Sequence, residues 1–268
     1  MKVLVSLVTY NHTPSELEQV IQQLSYSEDV VEIMLIDNSP TKQLNSLSNF
    51  HKVNYNFIGS NLGYGKAHNI GINKSVVSKV PYHLVINPDI LLDAKVINEL
   101  VAFMDKNTNI GLVMPRINYR DGSLQYLCKK LPTPFDLIGR RFIPDSLKKI
   151  FQSTFNSYEL KDRDYNQQMD VPNLSGCFMF MRTSVLNQIG GFDERYFMYL
   201  EDTDLCRRIG EVSRTVYYPN VSVIHGYAKD SYKSFKLLKY HINSAFAYFN
   251  KWGWFFDSYR TQKNKQIQ

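Results

Sequence analysis

Short apolar runs alternate with amphipathic stretches through the first 115 residues of the chain. The apolar runs are strand-length and end in polar residues, which predicts buried strands at 2–9, 32–36, 53–58, 82–86 and 110–114. The stretches between them predict helices after Thr13, at 64–74 and at 94–106, the first with Thr13, Pro14 and Glu16 as N-cap, N1 and N3. This alternation predicts an α/β fold, a mostly parallel sheet covered by helices on both faces.

Polar residues follow four of these strands. Asn11, Asp37, Asn61 and Asp89 each stand just beyond a strand's carboxyl end. In open parallel sheets ligands bind outside that edge, so we expect these four side chains to share one rim and to meet a ligand there.

The pattern weakens between residues 116 and 170, where basic pairs occur at Lys129-Lys130, Arg140-Arg141 and Lys148-Lys149. We expect irregular structure that covers the rim. Regularity returns with a strand at 175–182, two short strands around Pro219 and a terminal helix at 233–252. The predicted organisation is a first half at 1–115, a second half of the same domain at 116–228, and a C-terminal helical segment at 229–268.

Composition narrows the class of protein. The chain is 44% hydrophobic and 13% aromatic, which is typical of a globular protein. Its three cysteines form no C-x-x-C pair, so we expect a reducing compartment and no disulfide or zinc framework. We find neither a signal peptide nor a run of 18 apolar residues, and the expectation is a cytoplasmic protein.

The net charge of +6 lies entirely in the C-terminal segment. Residues 229–268 hold eight Lys or Arg against two Asp, and the remaining 228 residues hold 23 of each sign. The segment also holds both tryptophans. A basic, aromatic, amphipathic segment suits an anionic membrane surface, and a packed helix with a solvated lysine face is an equal alternative. Nucleic acid is a poorer match, since the aromatics cluster with leucines.

Two neighbouring acids are the main candidates for catalysis. Glu201 and Asp202 follow Phe197, Met198 and Tyr199 and open a predicted helix. Carboxylates beside such apolar neighbours are costly unless paired or used, so Asp202 is a candidate general base with Glu201 beside it. The alternative is that Asp202 is only a helix N-cap.

Other rim residues have weaker individual signals. Asp89 of Asn87-Pro88-Asp89 is a candidate ligand for Mg²⁺ or Mn²⁺ bound to a diphosphate, although a plain turn is the commoner reason for these residues. The N–H groups of 61–65 precede a helix and could face a phosphate, but the dinucleotide fingerprint is incomplete. Asp37 is a nucleoside contact or a turn acid. A lone histidine such as His225 is more often structural than a metal ligand.

Taken together, the motifs resemble the inverting glycosyltransferases of family 2, which have the nucleotide-sugar-binding GT-A fold. The likeness is nearest to bacterial rhamnosyltransferases of O-antigen and capsule assembly. The motifs that carry it are Val8-Thr9-Tyr10-Asn11, Asp37-Asn38, Asn61-Leu62-Gly63-Tyr64-Gly65 with Asn69 and Gly71, Asn87-Pro88-Asp89, Ser175-Gly176-Cys177-Phe178-Met179, Gly190-Gly191-Phe192-Asp193, Tyr199-Leu200-Glu201-Asp202 and His225.

The resemblance implies a role for each matching residue. Asp202 would be the catalytic base, Asp89 would hold the metal-bound diphosphate, and His225 would be a second metal contact. One departure is that Asn87 replaces the first acid of the usual Asp-x-Asp. The remaining nucleotide-sugar contacts would come from Thr9, Tyr10, Asn11, Asp37, Asn61, Gly63, Asn69, Asn87, Gly176 and Arg208.

The implied substrates are a nucleotide sugar and a lipid-linked glycan. The favoured donor is dTDP-β-L-rhamnose, which inversion would convert to an α linkage, and a UDP-hexose or UDP-N-acetylhexosamine is the alternative. The enzyme would work peripherally on the cytoplasmic face of the inner membrane. A nucleotidyltransferase would normally show a Gly-rich first strand, which Leu7–Asn11 lacks, and a non-catalytic sugar-nucleotide or membrane-binding module remains a third hypothesis.

Overall fold

The computed structural model describes residues 2–139, 143, 149–226 and 235–267. Arg140, Arg141, Lys148 and Lys233 of the predicted basic features lie outside these residues, as do 227–234 of the C-terminal segment. The strands are β1 Val3–Thr9, β2 Val30–Asp37, β3 Val53–Phe57, β4 Tyr82–Ile86, β5 Ile90–Leu91, β6 Ile110–Asn118, β7 Cys128–Lys129, β8 Met169–Asp170, β9 Asn173–Leu174, β10 Phe178–Arg182 and β11 Arg214–His225.

Helices separate these strands along the chain. They are α1 Pro14–Ser25, α2 Tyr64–Val77, α3 Ala94–Lys106, α4 Gln152–Tyr158, α5 Thr183–Ile189, α6 Glu201–Val212, α7 Phe235–Trp252 and α8 Ser258–Gln266, with a 3-10 helix at Asn45–Asn49 and a π-helix at Phe135–Gly139. The predicted start of α1 is confirmed, with Thr13 as N-cap, Pro14 at N1 and a capping box to Glu16. Helix α8 lies within the predicted C-terminal helical segment at 229–268, beyond the terminal helix predicted at 233–252.

One sheet forms the centre of the molecule, in the order β3-β2-β1-β4-β10-β6-β11-β5, with β8 beside β11. Strands β3, β2, β1 and β4 are mutually parallel, and β6 is parallel to β11. Strand β10 runs antiparallel to both of its neighbours, β4 and β6. The predicted α/β fold with a mostly parallel sheet flanked by helices is therefore confirmed.

The prediction of two separate short strands around Pro219 was wrong. The structure has one strand, β11, which pairs with β6 on both sides of the proline. The register shifts between Tyr218 and Ser222, because proline has no N–H to give to the ladder. The strand is interrupted there without ending.

The C-terminal helix packs on the segment that precedes α6. Ala245, Tyr248 and Phe249 of α7 form a second buried cluster with Tyr196 and Leu200. Within the described ranges, no helix combines the length and the apolar character needed to cross a membrane. The packed-helix alternative therefore accounts for one face of α7, and the exposed side chains of the same helix need a separate account.

Candidate active site

The carboxyl ends of β1 and β2 form a tightly bonded corner of the rim. Asp37 is fully buried, and its two carboxylate oxygens accept hydrogen bonds from the Tyr55 hydroxyl at 2.8 Å and the Ser39 amide at 3.0 Å. The Ser39 hydroxyl in turn accepts from the amide of Asn11 at 2.8 Å. Thr9 is buried beside Asp37, whereas Tyr10 and Asn11 are exposed. The buried acid therefore holds the loop that presents Tyr10 and Asn11.

The turn before α2 bonds to the segment before α6. Asn61 Oδ1 accepts from the Gly63 amide at 2.9 Å, and the Tyr64 amide donates to the Phe197 carbonyl at 2.9 Å. Gly63 has φ +84°, and a Cβ there would overlap the Phe197 carbonyl, so this close approach requires glycine. The amides of Gly63 and Tyr64 are thus engaged within the protein.

Asn69 and Arg208 have partners inside the fold. The Asn69 side chain accepts from the Phe192 amide at 2.8 Å and donates to the Phe192 carbonyl at 2.9 Å. Arg208 forms an ion pair with Asp204 at 2.7 Å and donates to the Ile189 carbonyl at 3.1 Å. Both side chains hold the loop around 190–192, so their predicted contact with a nucleotide sugar stays a prediction.

Asp202 lies in the first turn of α6, and two residues with strained backbones precede that helix. Tyr199 and Leu200 have φ +70° and +65°, a left-handed conformation that is costly for bulky residues. The N-cap of α6 is Leu200, so the N-cap interpretation of Asp202 was wrong. The Asp202 carboxylate accepts from the Gly176 amide at 2.9 Å and the Thr203 amide at 2.7 Å, which fixes its orientation.

Tyr64 links Asp202 to the rim. Its hydroxyl lies 2.6 Å from the Gly176 carbonyl oxygen and 3.2 Å from Asn87 Oδ1. Gly176 is the residue whose amide binds Asp202, so one residue connects the predicted base with the Asn87-Pro88-Asp89 turn. Burial, followed by nearby acids that include Asp202 and Asp89, raises the pKa of Tyr64 well above its usual value. Tyr64 therefore stays a neutral hydroxyl between the two acids.

Glu201 differs sharply from its neighbour Asp202. Its side chain is only 6% exposed, and its Oε2 has no hydrogen-bond partner. Burial and the charge of Asp202 raise the pKa of Glu201 well above the usual value for a glutamate. Glu201 is thereby held as the neutral acid, a hydrogen-bond donor, and Asp202 is the better placed of the two to accept a proton.

A cavity of about 200 Å³ opens beside these two acids. Residues from distant parts of the chain line this cavity. They include Lys129 of β7, Tyr199 before α6, and His241 of α7. Its lining of charged and hydrogen-bonding side chains suits a small polar ligand such as a sugar. Lys129 had been singled out only as part of a basic pair, and no local signal in the sequence places His241 at this site.

Asp89 meets His225 at the other side of the rim. The His225 Nε2 atom lies 3.3 Å from Asp89 Oδ1. Burial raises the pKa of Asp89, but the hydrogen bond and charge of His225 outweigh it, and the pKa is lowered. The amide of Gly226 also donates to the Asp89 carbonyl at 2.9 Å, which fixes the end of β11 against the turn.

Gln125 determines which nitrogen of His225 faces Asp89. The Gln125 Nε2 atom donates to the His225 carbonyl at 3.0 Å, and because a carbonyl only accepts, the amide orientation is defined. Its Oε1 must then accept from His225 Nδ1, 3.0 Å away. Nδ1 therefore carries a proton, and Nε2 is the atom directed at Asp89, the arrangement typical of metal-binding histidines. No motif in the sequence pointed to Gln125.

The Asp89 and His225 pair fits a partly protein-bound divalent cation. Across the ranges the structure describes, no three His, Cys, Asp or Glu side chains group into a metal site. Two converging protein ligands would leave the other positions of Mg²⁺ or Mn²⁺ to diphosphate oxygens and water, which is how these ions bind nucleotides. The donor set therefore suits a cation that arrives with its nucleotide.

The family model for glycosyl transferase family 2 matches residues 5–190, more than half of the chain. The chain belongs to glycosyl transferase family 2. This family-2 glycosyltransferase is 28% identical over 241 residues to the N-acetylglucosaminyl-diphospho-decaprenol L-rhamnosyltransferase of Mycobacterium tuberculosis, covering 82% of this chain and 75% of the relative. It is 25% identical over 256 residues to the rhamnosyltransferase WbbL of Escherichia coli, covering 92% of each.

Solved structures share the fold of this family-2 glycosyltransferase. GalNAc-T7 with UDP, GalNAc and Mn²⁺ superposes with a TM-score of 0.64 at 15% identity, covering 94% of this chain. The chain spans half the length of that structure. Staphylococcus aureus TarS in complex with UDP-GlcNAc superposes with a TM-score of 0.59 at 14% identity, covering 93% of this chain and 67% of TarS. At these identities the likeness establishes the GT-A fold.

Proposed function

We propose that this family-2 glycosyltransferase inverts the anomeric centre as it transfers L-rhamnose from dTDP-β-L-rhamnose to a hydroxyl group of a lipid-linked glycan. The product would enter a cell-surface polysaccharide such as an O-antigen or a capsule. The choice of rhamnose is supported by the two rhamnosyltransferase relatives, and the choice of a lipid-diphosphate acceptor by the name of the mycobacterial one. The observation that carries the mechanism is the oriented carboxylate of Asp202 beside a sugar-sized cavity.

The proposed reaction is a single displacement. Asp202 accepts the proton of the acceptor hydroxyl while that oxygen forms a bond to the anomeric carbon of the donor. The bond between that carbon and the diphosphate oxygen breaks on the opposite face, and its electrons leave with dTDP. A β donor therefore gives an α product. Glu201, as the neutral acid, donates a hydrogen bond to the acceptor sugar in the cavity.

The donor would lie across the rim. We assign its nucleoside to the corner formed by Thr9, Tyr10, Asn11 and Asp37, and its diphosphate to Asp89. A Mg²⁺ or Mn²⁺ ion held by Asp89 and His225 would supply charge neutralisation for the leaving diphosphate. Asn61, Gly63, Asn87 and Gly176 support the same surface through the bonds that join the turn before α2 to Asp202.

A second candidate is transfer of a hexose or N-acetylhexosamine from a UDP-sugar. It is favoured by the shared fold of structures that contain UDP and UDP-GlcNAc. Both candidates use the same base and diphosphate site, and they differ in the nucleotide and the sugar.

A donor panel tests the proposal. Purified protein with Mg²⁺ or Mn²⁺ is given dTDP-, UDP- and GDP-sugars, and nucleotide release is measured alongside thermal stabilisation by dTDP and UDP. We expect dTDP release from dTDP-rhamnose and stabilisation by dTDP. UDP release with stabilisation by UDP would reject rhamnose and keep the mechanism. If no nucleotide were released and no nucleotide stabilised the protein, the proposal would be rejected.

We also propose that the enzyme acts on the cytoplasmic face of the inner membrane, in peripheral contact with anionic lipid, because a lipid-linked acceptor would reside there. Nucleic acid has no part in this function.

A further inference from the structure

Two adjacent phenylalanines stand almost fully in solvent between α7 and α8. Phe255 is 80% exposed and Phe256 is 97% exposed. Among the described residues only Val77 and Phe235 are comparably exposed large hydrophobic side chains, at 81% and 85%. Exposed apolar clusters of this kind mark surfaces that bind a partner or a membrane.

The loop that carries Phe255 and Phe256 is held firmly. Asp257 caps α8 by accepting from the Arg260 amide at 2.9 Å, and the Arg260 side chain donates to the carbonyls of Trp254 and Phe255 at 3.3 and 3.2 Å. The two phenylalanines are therefore presented on an ordered backbone.

The same loop is joined directly to the catalytic helix. Asp257 forms a buried, two-pronged ion pair with Arg207 of α6, at 2.5 and 2.9 Å. Arg207 lies on the helix whose first turn contains Asp202. The exposed phenylalanines thus sit at a defined position relative to the predicted base, and His241 of α7 lines the cavity beside it.

Helix α7 extends this apolar surface. Phe235, Ile242 and Phe246 recur at helical spacing and lie on one side of the helix. Phe246 is 49% exposed and packs edge-on against Trp254 at a centroid distance of 5.1 Å. The side of α7 that carries Phe246 is therefore continuous with the loop at 253–256.

The charge that helices α7 and α8 bring to this surface is positive. Helices α7 and α8 contain six Lys or Arg and no acidic residue. Lys236, Lys239 and Lys265 are exposed. A second copy docking symmetrically here would bring like charges together, which is unfavourable, whereas anionic lipid head groups complement them.

We propose that Phe255 and Phe256 insert into the interface of an anionic bilayer while the lysines of α7 and α8 contact lipid head groups. Only the purpose of this insertion rests on the proposed function. That purpose is to hold the cavity beside Asp202 close to the membrane surface from which a lipid-linked acceptor emerges. The insertion itself is a property of the surface and is testable without any sugar substrate.

Intrinsic fluorescence provides a direct test, because Trp252 and Trp254 are the only tryptophans of the chain and both adjoin the loop. The probes are vesicles of phosphatidylcholine, alone or with about one third phosphatidylglycerol. With the anionic vesicles we expect a blue shift and quenching by bromine-labelled acyl chains. The double variant F255S/F256S should bind at least about tenfold more weakly. The matched control V77S removes an equally exposed apolar side chain from α2 and should bind like the wild type.

Further readouts separate this proposal from the proposed function. Thermal unfolding of F255S/F256S should match the wild type, since both side chains are exposed, and nucleotide release without vesicles should be unchanged. Absent quenching, or equal vesicle binding by the double variant, would overturn the insertion. Concentration-dependent dimerisation of the wild type that F255S/F256S abolishes would overturn it in favour of a second copy. If the wild type showed neither nucleotide release nor stabilisation by any nucleotide, the proposed function alone would be rejected.

Discussion

The two sides of the candidate site are built in different ways. On the donor side, Asp37 ends β2 and Asp89 lies in the turn after β4, and strand order brings both to one rim. On the acceptor side, Asp202 is oriented by Gly176, 26 residues away, and its cavity includes Lys129 of the second half and His241 of the C-terminal segment. Local sequence therefore places the strand ends of the donor side, whereas long-range packing determines the acceptor side and the contacts of His225 with Asp89 and Gln125.

The two sides also differ in the kind of polar group that they bury. The donor side rests on buried neutral polar groups, such as the chain in which Ser6 Oγ lies 2.6 Å from His68 Nδ1 and 2.9 Å from His83 Nε2. The acceptor side pairs a neutral buried acid, Glu201, with the bonded carboxylate of Asp202. The first arrangement joins β1, α2 and β4, and the second separates a hydrogen-bond donor from a base.

The largest expected effect is on the acceptor side. Replacing Asp202 with Asn should lower kcat by about 10²- to 10⁴-fold, because the base is lost while the shape of the side chain is kept. Dissociation constants for the donor nucleotide should change little, since Asp89 and the nucleoside corner are intact. Steady-state kinetics and nucleotide titrations measure the two quantities.

The matched control is Glu201→Gln, which keeps a neutral hydrogen-bond donor at the adjacent position. It should retain most of the activity, whereas Glu201→Ala should raise the acceptor KM. If Asp202→Asn kept full turnover, or if Glu201→Gln were the more damaging change, the assignment of the two acids would be wrong.

A smaller effect, on stability, belongs to the donor side. Burial lowers the pKa of His83 from 6.5 to about 3, so the unfolded chain binds a proton that the folded chain does not. Stability should be constant above pH 6.5 and should fall as the pH drops from 6.5 towards 3, by up to about 1.4 kcal/mol per pH unit for this residue. Urea unfolding at several pH values measures the slope.

The variant His83→Asn should flatten this slope, and His51→Asn, at an exposed position, is the matched control. Burial also lowers the pKa of His68 well below its usual value, so part of the slope should survive in His83→Asn. A wild-type stability that does not decrease below pH 6.5 would contradict the prediction.

The smallest expected effect is on metal binding at the diphosphate site. Gln125→Met removes both hydrogen bonds to His225 at similar volume, so the ring loses the partner that fixes its tautomer. Mn²⁺ affinity in the presence of dTDP should fall about 10- to 100-fold, measured by paramagnetic resonance of free Mn²⁺. Dissociation of dTDP in chelator should be unchanged. Equal Mn²⁺ affinity in the variant would show that Gln125 does not act on a metal site.

Much of the fold could be predicted from hydrophobic periodicity. The strands and helices of the first half, the capping box at Thr13 and the strand before Arg182 all follow from short local patterns. The antiparallel direction of β10 and the continuity of β11 past Pro219 did not, because strand pairing depends on partners far away in sequence. The bounds of α8 within the predicted helical segment did not follow from local pattern either, since its polar sequence is stabilised by the Asp257 cap and the ion pair of Asp257 with Arg207.

By itself, the sequence determined the family, the α/β fold and the placement of Asp37 and Asp89 at strand ends, because each depends on short motifs or on a period of hydrophobic residues. Only the tertiary structure decided that Glu201 is a buried neutral acid while Asp202 is held by Gly176, that Gln125 orients His225, and that Phe255 and Phe256 remain exposed. Burial and hydrogen-bond partners are set by residues dozens of positions away, and no local pattern encodes them.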